Sequence, residues 1–265
     1  MFKPRSFLFL ITTSLFISIS SCSSFSEKRE LESKKENPQT PFLVATKYFQ
    51  NSAEAAALYH QGYNVAFQYV DSLMKTYREK KPACVVLDID ETVLNNSYYQ
   101  GSLYHESKSF SDETWDEWVR QSRAPALPGV VEYIEKVREL GVEVIFITNR
   151  RSYLIEPTLE NLTRVGIKAE RRYIVGRDKI HSKEMRRARF KKFCNIVQLI
   201  GDNLSDFSDD YQGSTIQERK DKLESQHSLL GSRYILLPNP MYGDWRKTIL
   251  PKPLKKMEDL DSLKK

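Results

Sequence analysis

An apolar run that ends abruptly in acidic residues constrains this chain more than any other stretch. The sequence reads Val-Val-Leu over residues 85–87 and continues Asp-Ile-Asp-Glu-Thr over residues 88–92. A short run rich in β-branched residues predicts a buried strand of a parallel sheet. Ligands of open α/β sheets bind just outside the carboxyl ends of the strands. Asp88 and Asp90 can therefore reach one site, and because two crowded carboxylates repel each other, that site requires a metal cation and a lysine.

The first 21 residues have the pattern of an export signal. Lys3 and Arg5 precede an apolar stretch over residues 7–19, and two serines then lead to Cys22. The apolar stretch is too short to make a comfortable transmembrane helix. A cysteine directly after two small residues looks like the cleavage motif of bacterial lipoproteins, which predicts that Cys22 is the lipidated first residue of the mature protein. An ordinary secretory signal and an uncleaved anchor remain as alternatives.

Composition divides the rest of the chain into a tether and one domain. Residues 22–40 are polar and aperiodic, so they predict a flexible tether. Residues 41–265 are long enough for one sizeable core. The net charge of +6 is not gathered into one basic stripe, and no recognition motif for a nucleic acid polymer accompanies it. Within the domain, residues 41–79 are predicted to form an N-terminal helical segment, in which Gly62 is a candidate break.

The remainder alternates helical and strand patterns. Apolar runs that follow predicted helices indicate a parallel α/β sheet with right-handed crossovers. The predicted strands after the first cover residues 142–148, 172–175, 196–200 and 234–237, and the predicted helices cover residues 128–140, 157–165 and 182–193. The sequence therefore predicts a Rossmann-like sheet flanked by helices.

An aromatic-rich insertion separates the first strand from this alternation. Residues 95–127 lack a regular pattern and include Tyr98, Trp115 and other aromatic residues. We expect the insertion to form a small, mainly helical cap over the crevice, where its rings either stack on a flat ligand group or pack the insertion itself.

Polar residues recur at the predicted strand ends. Thr148 and Asn149 follow the second long strand, and Asp202 follows the fourth, with Asp206 four residues further on. Lys183 begins the helix that precedes the fourth strand. All parallel strands present their carboxyl ends at one edge of the sheet, so these groups predict a phosphoryl-transfer site.

The order of these motifs resembles the haloacid dehalogenase-like superfamily. The resemblance rests on Asp-x-Asp-x-Thr at 88–92, Thr148, Lys183 and Gly-Asp-Asn-Leu-Ser-Asp at 201–206. It is closer still to class C bacterial acid phosphatases, the lipoprotein e family of 5′-nucleotidases. That part rests on residues 51–64, Thr-Trp at 114–115, Thr-Asn-Arg at 148–150 and Pro-Asn-Pro-Met-Tyr-Gly at 238–243. One departure is Asn95, where many relatives are expected to carry Asp.

The resemblance implies a role for each residue of the predicted core site. Asp88 would attack phosphorus, and Asp90 would protonate the leaving group and later activate water. Thr148 and Asn149 would hold phosphoryl oxygens, and Lys183 would keep Asp88 ionised. The supporting residues are Thr92 and Asp206, the second of which would orient Lys183 or a metal-bound water.

The resemblance also implies a cofactor and a substrate class. Mg²⁺ would be held by the carboxylates of Asp88 and Asp202 and by the main-chain carbonyl of Asp90. The substrate would be a small phosphomonoester, often a nucleoside 5′-monophosphate, whose base stacks on Tyr242 or, less favourably, on Trp115 or Tyr98. The lipid anchor would place the enzyme at the bacterial cell envelope, and we expect the outer membrane. A homodimer is an option that rests on the resemblance alone.

The two remaining cysteines are expected to be free, buried thiols. If Asp88 and Asp202 mark level ends of neighbouring strands, Cys84 lies four residues before the end and Cys194 lies eight. The offset of four residues corresponds to roughly 13 Å at about 3.3 Å per residue, which is too far for a disulfide.

Two other functions were weighed against hydrolysis. A ligand-binding or adhesion lipoprotein on the same fold would not need Asp90, whereas this chain keeps every catalytic residue type. A two-component receiver domain also combines acids, a threonine and a lysine, but its acids are consecutive and an export signal does not suit it. Metal-dependent phosphomonoester hydrolysis is therefore the leading hypothesis.

Overall fold

Five parallel strands form one sheet with helices around it, as the sequence predicts. The computed structural model describes residues 40–213 and 215–249, and the sheet order is β3-β2-β1-β4-β5. The strands are β1 Ala83–Leu87, β2 Glu143–Arg151, β3 Ile174–Arg177, β4 Asn195–Gly201 and β5 Tyr234–Leu236. The α-helices are α1 Thr40–Asn51, α2 Ala53–Thr76, α3 Ser97–His105, α4 Asp112–Arg120, α5 Val130–Glu139, α6 Ile155–Arg164, α7 Lys183–Ala188, α8 Ile216–Gln226 and α9 Asp244–Ile249.

Strand β1 lies at the centre of the sheet, and all five of its residues are buried. Leu87 is level with Phe146 of β2 on one side and with Ile200 of β4 on the other. The residues that follow these three positions therefore emerge together at one edge. This register is what brings acids and hydroxyls from distant parts of the sequence into one site.

The N-terminal helical segment breaks at Ser52 and not at Gly62. The hydroxyl of Ser52 accepts a hydrogen bond from the main-chain N–H of Ala55 at 3.0 Å, which caps α2. Gly62 lies inside α2, where a Cβ atom would come within 2.5 Å of the Leu237 side chain. The absence of a side chain at Gly62 therefore allows α2 to pack closely against the chain after β5. Our prediction of a helix break at Gly62 was wrong.

Several element boundaries also differ from the prediction. Strand β2 continues to Arg151, beyond its apolar run, because Arg151 still pairs with Arg177 of β3. Strand β3 begins two residues later than predicted, at Ile174. The predicted helix over residues 182–193 ends as an α-helix at Ala188 and continues as a 3-10 helix over Arg189–Lys192. Apolar periodicity detects the elements, but pairing decides where they end.

Cys84 and Cys194 form a disulfide, so the prediction of two free thiols was wrong. Their Cα atoms lie 5.8 Å apart, which is ordinary for a disulfide. Two features of the register remove the predicted offset. The prediction implied that Leu87, the residue before Asp88, is level with Gly201, but Leu87 is level with Ile200. In addition, a bulge between Cys84 and Val85 places Cys84 level with Ile196. Cys194 is then only two residues away along the strand direction, and its loop conformation closes the gap.

The insertion after β1 contains α3 and α4, which agrees with the expected helical cap. Tyr99 packs against Phe110, Trp115 and Trp118 at ring-centroid distances of 5.2–6.4 Å. These four rings therefore pack against one another within the insertion. Among the helices of the described chain, none is both long and apolar enough to cross a bilayer. The predicted signal, Cys22 and the tether up to residue 39 lie outside the described residues, and Thr40, the last residue of the predicted tether, begins α1.

Candidate active site

Asp88 and Asp90 stand where β1 meets the edge of the sheet. The main-chain N–H of Asp88 still donates to the carbonyl of Ile200 at 2.9 Å, so the residue is fixed by the strand before it. The Asp88 side chain is 7% exposed, and that of Asp90 is 16% exposed. The turn that follows includes Glu91 at a positive φ of 55°. The two acids thus project from a rigid strand end rather than from a loose loop.

Lys183 joins Asp88 to Asp206. Its ammonium contacts a carboxylate oxygen of each, and all three side chains are buried. Lys183 is the first residue of α7, and Ser182 caps that helix by accepting from the N–H of Met185. Burial lowers the pKa of Lys183, but the nearby Asp206 and Asp88 carboxylates outweigh it, so the pKa is raised overall. The lysine therefore carries its charge between two of the predicted site residues.

Three carboxylates, two of them buried and one half-buried, surround a volume suited to a cation. Oxygens of Asp88, Asp202 and Asp206 lie within 4.8 Å of one another. Burial raises the pKa of Asp202 well above its usual range, and Asp206 and Asp88 add to this, while the Lys183 charge opposes it only weakly. Burial also raises the pKa of Asp88. One ammonium leaves three acids undercompensated, and a hard divalent ion bound by oxygen would restore the balance.

The predicted metal ligands are partly supported by this geometry. The carboxylates of Asp88 and Asp202 belong to the cluster. Asp206 joins them, although the sequence analysis gave it only a supporting role. The carboxylate of Asp90 is not part of the cluster and contacts Thr148 and Arg150 instead, so the predicted ligand from this residue stays its main-chain carbonyl.

Asp90 is held by a buried guanidinium. Arg150 donates to Oδ1 of Asp90 from Nε at 2.9 Å, and a terminal nitrogen of its guanidinium forms an ion pair with the same oxygen at 2.8 Å. Asn96 donates to the same oxygen at 3.0 Å, and the hydroxyl of Thr148 lies 3.3 Å from Oδ2. Thr148, near the carboxyl end of β2, thus lies beside Asp90, the predicted general acid.

A second arginine shapes the end of β2. Arg186 donates to the main-chain carbonyl of Thr148 and to the amide oxygen of Asn149 at 2.8 Å. The Asn149 amide nitrogen is thereby turned away from Arg186. Burial lowers the pKa of Arg186 to about 10, so the guanidinium remains charged near neutral pH. Arg186 adds positive charge where phosphoryl oxygens are expected to lie.

Asp202 is connected to the turn after β5. Asn239 donates from its amide nitrogen to Oδ2 of Asp202 at 2.8 Å, and its amide oxygen accepts from the main-chain N–H groups of Met241 and Tyr242 at 3.0 and 3.3 Å. Thr92 makes a long contact of 3.5 Å to Oδ1 of Asp202. One amide thus fixes both an expected metal ligand and the backbone of Tyr242.

The three predicted stacking residues occupy different environments. Tyr242 is partly buried, and its buried hydroxyl has no hydrogen-bond partner among the described residues. Trp115 lies with its ring centroid 5.8 Å from the guanidinium carbon of Arg150, which places it on the Asp90 side of the site. Tyr98 is 55% exposed, and no described contact joins it to the acids. The structure therefore places Trp115, but not Tyr98, close to the catalytic groups.

Arg150, Asn96 and Asn239 were not predicted as site residues, although Arg150 and Asn239 lie inside the motifs that carry the resemblance and Asn96 follows Asn95. Arg150 follows Thr148 by two residues in a strand, and that spacing puts both side chains on one face of the sheet. This parity is the signal that would have pointed to Arg150.

A family model described as HAD superfamily, subfamily IIIB (Acid phosphatase) matches residues 10–245 of this chain. The chain belongs to this acid phosphatase family. The match includes the strand ends that supply Asp88, Thr148 and Asp202 and the helix that supplies Lys183. The predicted family and fold are therefore confirmed.

Similar proteins include bacterial and plant members. The crystal structure of a class C acid phosphatase from Bacillus anthracis with tungstate bound is 34% identical, covers 84% of this chain and 94% of that one, and has a TM-score of 0.75. Acid phosphatase 1 of Solanum lycopersicum is 30% identical over 59% of this chain and 57% of its own length. A stem 31 kDa glycoprotein of Glycine max is 28% identical over 59% of this chain and 58% of its own length. The chain thus spans less than two thirds of these plant relatives.

Gly201→Ala is expected to lower kcat by roughly 10-fold to 100-fold, because it would displace a side chain that holds Lys183. An added Cβ at Gly201 would come within 2.5 Å of the Cβ of Asp206. Steady-state kinetics would measure the loss. Gly101→Ala in α3 is the matched control, since the nearest atom there is the movable end of Gln50 at 3.3 Å. Equal kinetics for the two variants would contradict the role given to Gly201.

Proposed function

We propose that this protein is a Mg²⁺-dependent hydrolase of small phosphomonoesters, with nucleoside 5′-monophosphates as the preferred class, anchored by lipid at a bacterial cell envelope. The observation that carries the proposal is the arrangement of Asp88, a buried carboxylate in contact with the Lys183 ammonium, beside a second acid that has a separate set of partners. A nucleophile and an acid-base group in one crevice are what hydrolysis through a covalent intermediate requires.

Asp88 is the nucleophile in this proposal. A carboxylate oxygen attacks phosphorus, the bond from phosphorus to the ester oxygen breaks, and an aspartyl-phosphate forms. Lys183 keeps Asp88 ionised and stabilises the charge of the phosphoryl group, while Asp206 holds Lys183 in place. Arg186 and the Asn149 amide lie at the neighbouring strand end, where they bind phosphoryl oxygens.

Asp90 moves the protons. It donates one to the departing ester oxygen and then takes one from the water that attacks the aspartyl-phosphate. The second step releases inorganic phosphate and restores both carboxyl groups. Asp90 needs no free mobility for this, because Arg150 and Asn96 hold it toward the crevice.

The residues present fit a divalent cation. The Asp88 and Asp202 carboxylates and the main-chain carbonyl of Asp90 would hold it, and Asp206 lies close enough to take part. When bound, Mg²⁺ would neutralise charge on the nucleophile and on the phosphoryl oxygens.

Several features support the finer parts of the proposal. Asn239 fixes the backbone of Tyr242 in a rigid turn next to Asp202, a position from which an aromatic ring can stack on a flat base. The crystallised class C acid phosphatase of Bacillus anthracis bound tungstate, an oxyanion like phosphate. The envelope location rests on the sequence of residues 1–22, whose pattern is that of a bacterial lipoprotein signal.

The test is phosphate release by the purified full chain in detergent. Nucleoside 5′-monophosphates and simple alkyl phosphates would be offered with Mg²⁺, with excess chelator, and with chelator followed by Mg²⁺. We expect release that the chelator abolishes and that added Mg²⁺ restores, with nucleotides hydrolysed at the highest kcat/KM.

Two outcomes would redirect the proposal. Release that is unchanged by chelator would contradict the metal dependence. No release from any monoester by folded, Mg²⁺-loaded protein would favour a ligand-binding or adhesion lipoprotein. Direct binding of nucleotide, measured by calorimetry on the same preparation, would then be the expected finding.

A further inference from the structure

The two carboxylate oxygens of Asp90 have unequal surroundings. Oδ1 accepts two hydrogen bonds, from Nε of Arg150 at 2.9 Å and from the amide of Asn96 at 3.0 Å, and a terminal nitrogen of the Arg150 guanidinium lies 2.8 Å from it as an ion pair. Oδ2 faces the Thr148 hydroxyl at 3.3 Å and no other donor within the described part of the chain. An oxygen that already accepts two N–H hydrogen bonds beside a guanidinium charge cannot also carry a proton, so a proton on Asp90 must reside on Oδ2.

The donors to Oδ1 are themselves fixed. Arg150 is 1% exposed, and one of its terminal nitrogens donates to the Thr158 hydroxyl at 3.1 Å. The guanidinium of Arg150 also lies over the ring of Trp115, so it is packed between the cap and the sheet. Neither end of the guanidinium can therefore swing away from Asp90 without breaking a buried contact.

Asn96 is held as firmly as Arg150. The residue is fully buried, and its amide oxygen accepts from the indole N–H of Trp118 at 2.8 Å. Its main-chain N–H donates to the carboxylate of Glu91 at 2.7 Å. The indole N–H can only donate, so it fixes which end of the Asn96 amide is oxygen and turns the nitrogen toward Asp90. The cap helix α4, which carries Trp118, thus sets the orientation of the predicted acid.

We infer that Arg150 and Asn96 are positioning residues, which hold Asp90 so that Oδ2 is the oxygen that transfers the proton. We infer further that this arrangement makes the site effective on phosphate monoesters of alkyl alcohols. The inference rests on the proposed hydrolase function and goes beyond it, because it assigns a role to two residues outside the predicted site and names the leaving-group class that depends on them.

The proton balance shows why the leaving group matters. When Asp88 bonds to phosphorus, the ester oxygen leaves with the electron pair of the broken bond. An alkoxide is a strong base and departs readily only if the proton of Oδ2 reaches it as the bond breaks. A 4-nitrophenolate is stable as an anion and needs no proton. Misaligning Oδ2 should therefore slow alkyl esters much more than 4-nitrophenyl phosphate.

The experiment measures kcat/KM of Arg150→Lys and Asn96→Ser on 4-nitrophenyl phosphate, phenyl phosphate and a nucleoside 5′-monophosphate. This parameter covers steps only up to departure of the alcohol, so the later role of Asp90 with water does not enter. We expect a loss of roughly 100-fold on the nucleotide, an intermediate loss on phenyl phosphate, and less than about a threefold loss on 4-nitrophenyl phosphate.

Arg151→Met is the matched control. Arg151 is the adjacent basic residue, but it pairs with Asp112 in the cap and does not contact Asp90. Its kcat/KM values should fall equally, if at all, on all three substrates. Arg150→Lys keeps the positive charge but loses the pair of contacts that the guanidinium makes with Oδ1. Asn96→Ser removes the amide hydrogen bond to the same oxygen without removing a charge. If only one of the two variants folds, that variant alone is sufficient to test the inference.

The outcomes separate the inference from the proposed function. If the unsubstituted protein hydrolyses none of the three esters, the hydrolase proposal itself fails. If it hydrolyses them and the variants lose the same factor on every ester, Arg150 and Asn96 are structural, and the inference is overturned. Only a loss that grows with the basicity of the leaving alcohol supports the positioning role.

Discussion

Asp88→Asn is expected to lower phosphate release by a factor on the order of 10⁴ or more. The amide is nearly the same size as the carboxylate, but it is a poor nucleophile and cannot form an aspartyl-phosphate. It also removes one of the two acids that contact Lys183. The rate on a nucleoside 5′-monophosphate with Mg²⁺ present is the first measurement. Acid quenching during turnover is the second, because the unsubstituted protein should retain covalent phosphate and the variant should not.

Asp112→Asn is the control for this experiment. Asp112 is an exposed acid at the start of α4, where it pairs with Arg151. We expect its rate and its phosphate labelling to resemble those of the unsubstituted protein. If Asp88→Asn kept a tenth of the activity, or still became labelled, Asp88 would not be the nucleophile, and another acid of the cluster would have to take that role.

Replacement of Cys84 and Cys194 together by alanine is expected to reduce the free energy of unfolding by about 2–5 kcal/mol. The disulfide joins positions separated by 110 residues, so its loss would free a long loop in the unfolded chain. Cys84 lies in β1 and Cys194 directly precedes β4, and because both are buried, the missing sulfur atoms would add a packing loss. Urea unfolding followed by circular dichroism would measure the change.

A reducing agent provides the internal control. Dithiothreitol in the urea titration should destabilise the unsubstituted protein and should leave the double variant unchanged, since the variant has no disulfide to lose. A titration midpoint of the unsubstituted protein that is independent of reductant would contradict the structural role given to this disulfide.

The sequence was sufficient to predict the sheet and the residues at its edge. Asp88, Thr148 and Asp202 each follow an apolar run, and parallel strands must present such positions at the same edge. Periodicity also identified the helices between them. It did not predict the register of β4 against β1, which depends on a bulge between Cys84 and Val85 that no apolar pattern records. That bulge, together with the level of Leu87 against Ile200, is why the disulfide was missed.

The partners of Asp90 were missed for a different reason. Arg150 is a long charged side chain in β2 beyond the apolar run of that strand, and such a residue is usually exposed. Its burial depends on Trp115 and Thr158, which come from the cap and from α6. Asn96 depends in the same way on Trp118 of α4. Contacts that need three separate elements to assemble cannot be read from any local pattern.

The central place of β1 also governs when the site can exist during synthesis. β1 is the first strand to be made, yet it pairs with β2 on one side and with β4 on the other. Asp88 meets Lys183 and Asp206 only after more than a hundred further residues have left the ribosome. Because closing such long loops is slow, we expect the nascent chain to expose β1 for much of its synthesis. Enzymatic activity would then serve as a late reporter of folding, appearing only after β4 has docked.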